Sequence, residues 1–116
     1  MRLTIIPSDN FVSIDGVGFH DIDLSFINTN VHAIQWYGDN GVIEIKDNPY
    51  GRIISNENIY DITQFQQAID SWNNAKTIYE QQLVVKAAEE ARIAEQVKAA
   101  ELLRSSTQDE SSLTTN

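Results

Sequence analysis

The chain has 116 residues, 8 basic against 17 acidic side chains, a formal net charge of −9 and no cysteine. A chain so acidic repels phosphate backbones and disfavours nucleic-acid binding, and the missing thiols remove disulfides, thiolate catalysis and cysteine-ligated zinc. The imbalance is spread, with 3 basic and 8 acidic residues in 1–60 and 5 and 9 in 61–116, so it reads as a general solubility feature.

The N-terminus has too short an apolar run for a signal peptide, and no stretch approaches a membrane span. The expected setting is the cytoplasm of the producing cell. Residues 3–6 are rich in β-branched side chains, and Pro7-Ser8-Asp9-Asn10 interrupts them. Phe11 to Ile14 forms a second short run, and Asp15-Gly16 is a tight-turn dipeptide before Val17-Gly18-Phe19. These elements predict a small antiparallel meander, with Gly16 and Gly18 supplying turn geometry rather than a phosphate cradle.

Between His20 and Asn30, alternation of Ile22, Leu24 and Phe26 predicts three side chains on one face, with Asp21 and Asp23 turned to solvent. A calcium loop would need more oxygen ligands and a turn glycine at fixed spacing. Val31 to Tyr37 then reads as a strand, Gly38-Asp39-Asn40-Gly41 as a turn, and Val42 to Lys46 as the returning strand, with Asn40-Gly41 suited to a type I′ geometry. Arg52 to Ser55 offers a last short strand, and 56–60 a link from the sheet to a helix.

Trp36 and Tyr37 are adjacent in a strand and must point to opposite faces. One belongs to the core; the other is either covered by the start of the long helix or a candidate contact residue, because a ring with a polar tip suits an interface.

From Asp61 to about Arg104 there is neither Gly nor Pro, and Ala, Glu, Gln, Lys, Leu and Arg dominate the second half. This predicts one α-helix of roughly 60 Å at about 1.5 Å per residue, more than sixty preceding residues can cover. Asp61 and Gln64 form a capping-box pattern, and Ile62, Phe65, Ile69 and Trp72 form the stripe expected to lie on the sheet. Tyr79 and Leu83 continue it. Beyond them Val84, Ala87, Ala88, Ala91, Ala94 and Val97 give a thinner stripe, and Lys86 and Glu90 break the heptad before Ile93, Val97 and Ala100 resume it, which leaves a coiled coil as an option. Glu89 with Arg92, Glu95 with Lys98 and Glu101 with Arg104 stand three apart and offer local pairing. Ser105 to Asn116 is Ser/Thr-rich and expected to be disordered, or ordered only on a partner.

The predicted fold is therefore α+β: a small antiparallel β domain over 1–58, a long α-helix over 59–104 with its first turns packed on the sheet, and a disordered tail over 105–116. Chemistry is thinly represented. His20 and His32 are the two histidines, without metal-ligand spacing, and no phosphate loop or nucleophile elbow occurs. No catalytic, cofactor-binding or metal-binding residue is expected, and no enzyme. A convergent polar pocket is not expected either. The candidate partner-binding residues are Trp36, Tyr37, Tyr79, Leu83, Ala87, Ala91, Ala94 and Val97.

Leu24-Ser25-Phe26, the tract Val31-His32-Ala33-Ile34-Gln35-Trp36-Tyr37, Gly41-Val42-Ile43-Glu44-Ile45 and the run Phe65 to Trp72 together resemble a family of small proteins encoded near the tail-fibre genes of tailed bacteriophages, labelled tail-fibre or tail-assembly proteins. The resemblance covers roughly residues 1–80. It implies a virion tail context, assembled in the host cytoplasm, with tail fibre or baseplate proteins as partners. The expected role is a structural or adaptor protein docking through its helix, with a fibre-assembly chaperone as the alternative and a homo-oligomer through the helix as a further option; no nucleic acid and no membrane is expected as a partner.

Overall fold

The computed structural model describes residues 1–114, with side chains as far as Ser105. Six strands precede one helix: β1 Leu3–Ile6, β2 Phe11–Ile14, β3 Val17–Phe19, β4 Val31–Trp36, β5 Gly41–Lys46, β6 Ile53–Ile59 and α1 Gln66–Thr114. All pairings are antiparallel, in the order β3-β2-β1-β4-β5-β6, and the α+β class expected from the sequence is the one observed. The chain comprises two compact units, Met1–Ile78 and Tyr79–Asn116.

The first three strands form the expected meander. A 3₁₀ turn over Pro7–Asp9 leads to Asn10 in the left-handed region, and the β2–β3 turn places Asp15 and Gly16 at positive φ, as a two-residue hairpin loop requires. Asp15 is fixed further by its carboxylate, which accepts the Arg2 N–H at 2.8 Å.

β1 is flanked by β2 and β4, so the 20–30 connection must carry the chain from the β3 edge to the far side of β1. Its Ile22, Leu24 and Ile27 enter the core beside Leu3, Ile5, Val12, Ile14, Ile34, Trp36 and Ile43. The expected alternation stops at Leu24. A turn closed by Ile27 N–H on the Leu24 carbonyl swings Phe26 outward and Ile27 inward.

The β4–β5 loop also departs from the expected turn. It comprises Tyr37 to Asn40, closed by the Tyr37 N–H on the Asn40 carbonyl at 2.8 Å, and Gly38 rather than Asn40-Gly41 takes the positive φ. Gly41 is already in β5 opposite Trp36, where a Cβ would meet the Gln35 carbonyl and the Trp36 ring, so close approach and not φ demands glycine there.

β6 is longer than the sequence suggests: the pattern over 56–60 predicts a linker, and Asn56 to Ile59 pair with β5 instead. This edge carries two devices that discourage strand addition: an irregular register between Ile45 and Lys46, and Glu57, a charge opposite core-facing Ile43. The opposite edge, β3, is bonded to the helix.

The helix enters through a 3₁₀ turn over Thr63–Phe65. Asp61 accepts the Thr63 N–H and hydroxyl, both at 2.9 Å, which fixes the entry two residues on instead of through the three-residue capping box with Gln64. Phe65, Ile69 and Trp72 are buried on the sheet as the stripe predicts, joined by Ala68, which is wholly inaccessible. The Trp72 Nε1–H donates to the Val17 carbonyl of β3 at 2.8 Å, and its ring meets Phe19 edge-on. α1 runs past Arg104 to Thr114. Of the stretch expected to be disordered, the side chains from 106 and the whole of 115–116 lie outside the described residues.

Replacing Trp72 by Phe keeps most of the apolar burial but leaves the Val17 carbonyl without that donor, and it should destabilise the fold by about 1–2 kcal/mol. Urea unfolding followed at Trp36 checks this; an unchanged midpoint would show that the edge is held by other means.

Candidate interaction site

The candidate residues fall into two groups, one in each unit. On the sheet, the alternation of β4 sends Trp36 into the core at 5% exposure and leaves Tyr37 at 51%. Tyr37 is therefore the accessible ring of the pair, and Trp36, in register with Leu3 and Gly41, is withdrawn from contact by its burial in the core. The Arg2 guanidinium lies 5.6 Å from the Tyr37 ring centroid, a cation–π distance that steadies the ring at the surface.

In the helix, every described side chain from Lys76 to Ser105 is exposed. Tyr79, Leu83 and Val97 lie within about 40° of one another at about 100° per residue, and Ala87, Ala91 and Ala94 occupy the adjoining sector. Ile93 joins the first group; the sequence pattern has it resuming the heptad without counting it among the contacts. Leu83 and Ile93 are both 47% exposed, high for side chains of that kind. Of the expected local pairs, Arg92 donates to Glu89.

Sequence reasoning misses a cleft of about 370 Å³ whose lining includes Pro7, Asn10, Asp23, Leu24, Lys46 and Pro49. Lys46 is the buried charged residue of the core region, and its Nζ donates to the Pro49 carbonyl at 3.0 Å, closing the turn after β5. Asp23, at the rim, accepts hydrogen bonds from Ser25, which hold its carboxyl below the usual aspartate range. The lining comes from the first turn, the 20–30 connection and the end of β5, separate in sequence, so no local pattern announces it. A second cleft of about 500 Å³ lies between the end of the 20–30 connection (Phe26, Ile27), Ile43 and Ile45 of β5, Glu57 of β6 and the 3₁₀ turn at Gln64 and Phe65.

The histidines are not brought together as a site. His20 packs on Phe11 with ring centroids 4.8 Å apart, and His32 Nε2 stands 4.0 Å from the Glu44 carboxylate across β4 and β5. Among the described residues no group of three metal-ligating side chains forms, and no helix is long and apolar enough to cross a membrane. Comparison with protein-family models, with characterised proteins and with solved structures finds no match.

Asp61 carries a pH consequence. Hydrogen bonds from the Thr63 backbone N–H, and then from the Thr63 hydroxyl, lower its carboxyl pKa in the fold. A depressed folded pKa means the stabilisation is complete above the unfolded pKa and is lost as pH falls through the folded one. NMR titration should find the Asp61 and Asp23 carboxyls protonating below the usual aspartate range, with Thr63→Ala, which removes the hydroxyl donor and keeps the backbone N–H, returning Asp61 part of the way. Normal titration of Asp61 in the parent chain would rule out this account of the helix entry.

Proposed function

We propose that the chain is a non-enzymatic structural or adaptor protein of a bacteriophage tail, docking on tail fibre or baseplate proteins through its long helix. The observation that carries the docking role is the exposed apolar run along α1, in which Val84, Val85 and Leu102 are exposed beside the half-exposed Leu83, Ile93 and Val97. Branched side chains on a helix surface add little to its stability, and they become favourable when another molecule removes them from water. The tail context itself rests on the resemblance carried by the tract Val31 to Tyr37. The product assembles in the host cytoplasm and resides in the virion tail.

Mass spectrometry of purified virions tests the reading. Stoichiometric presence with the tail proteins is expected. Absence from virions, together with a loss of assembled fibres when the gene is deleted, would transfer the role to an assembly chaperone. A second measurement addresses the surface. Ala91→Glu with Ala94→Glu, on the sector beside the bulky residues, should weaken capture of the fibre by about tenfold or more while helicity by circular dichroism is unchanged. Undiminished capture would remove that face of the helix from the contact.

A further inference from the structure

Along the distal helix, Tyr79, Leu83, Lys86, Glu90, Ile93 and Val97 succeed one another at spacings of four, three, four, three and four, the a and d positions of a heptad seam. The four apolar members are all exposed, and the two charged members sit at the centre. A lysine and a glutamate in adjacent layers are a defect or a specification, depending on what faces them.

Two ways of pairing with a second copy give opposite electrostatics. In a parallel, in-register pair each seam residue meets its own copy, so Lys86 opposes lysine and Glu90 opposes glutamate in a partly desolvated layer. In an antiparallel pair about a two-fold axis beside Ala88, each seam residue meets the seam residue equally far on the other side of that axis, and each flanking position meets its counterpart on the same flank. Lys86 then faces Glu90 of the second copy, twice by symmetry. Leu83 faces Ile93 and Tyr79 faces Val97, so the other layers between Tyr79 and Val97 are free of charge. Ala87, the flanking position nearest the axis, meets its own mate, and its small side chain allows close approach of the helices. Glu89 meets its own mate on the other flank, and Arg92 of the same helix already offsets that charge.

We infer that the distal helix pairs with a second copy of this chain in antiparallel orientation, its register set by the reciprocal Lys86–Glu90 layers. This rests on the reading of the helix as a docking element and names the partner at its bulky seam; it does not depend on the tail assignment. Charge complementarity selects the occupant. A symmetric interface must be complementary to itself, and this seam is so in one orientation only.

Sedimentation equilibrium of the full chain should show a monomer–dimer equilibrium. Lys86→Glu and Glu90→Lys should each weaken dimerisation by about tenfold or more, and the double exchange should restore it, since the reciprocal layers become complementary again. Orientation is read by cross-linking, because the chain has no cysteine of its own. Leu83→Cys mixed with Ile93→Cys should join by a short bis-maleimide far more efficiently than either variant alone. A chain that stays monomeric at all accessible concentrations overturns the inference, as does Leu83→Cys cross-linking to itself in preference to the mixture. Neither result touches the virion measurement, which tests the tail assignment separately.

Discussion

Trp72 fixes the helix to the sheet at the point where the sheet most needs closing. Its ring fills the core beside Phe19, and its N–H satisfies a carbonyl of β3, the outermost strand on that side. Sheet edges present unpaired backbone groups, and a strand of three residues has little pairing of its own to hold it. One side chain thus closes the core and ties the outermost strand to the helix. Ala68, one turn earlier, lets the helix approach closely because nothing larger than a methyl stands between its backbone and the sheet.

The placement of β1 at the middle of the sheet dictates much of what surrounds it. β1 pairs on both sides, with β2 and with β4, so the chain between β3 and β4 has to travel across a face rather than turn at an edge. The core face is the one that gains from cover, and Ile22, Leu24 and Ile27 supply it. Connection and helix cover this face together, and the larger cleft opens between the connection, β5 and the 3₁₀ turn that precedes the helix. The two edges are therefore managed differently: β3 by a hydrogen bond from the helix, β6 by Glu57 and by an irregular register.

The elements legible in the sequence are those whose pattern states a single physical demand. Phe65, Ile69 and Trp72 recur at helical spacing and lie on the sheet, and Asp15-Gly16 tolerates positive φ and makes the turn. Asn40-Gly41 carries a similar signature, yet Gly41 is demanded by the neighbouring Gln35 carbonyl and Trp36 ring, and a dipeptide cannot declare which of its two freedoms will be used. β6 escapes notice because Ser55-Asn56-Glu57-Asn58 has no apolar alternation; its strand character comes from backbone pairing with β5, which no local pattern encodes. For the candidate surface the balance differs. The helical residues can be read directly, since a long helix keeps its own periodicity whatever surrounds it. Choosing between Trp36 and Tyr37 requires knowing which face of the sheet the helix covers, and the Lys46 cleft requires three distant segments to be brought together.

The composition of the distal helix argues for cover from outside the chain. A helix meant to stand in water is best made of alanine with straight-chain charged residues, and much of this one is. Val84, Val85, Ile93 and Val97 depart from that design, because β-branched side chains lose rotamer freedom against the preceding turn and, exposed as they are here, recover nothing by burial within the chain. Each such position lowers helix stability by a few tenths of a kcal/mol relative to alanine, a loss that association reverses when it removes the same groups from water. Lys86 and Glu90 then stand in a different light from the surface charges around them. On a solitary helix they are two more solvated groups four residues apart; within a seam they oppose every arrangement that leaves them facing their own kind. In the antiparallel pairing proposed above, their cost to affinity would be the source of orientation, as a polar layer in an apolar interface fixes register by making the alternatives worse.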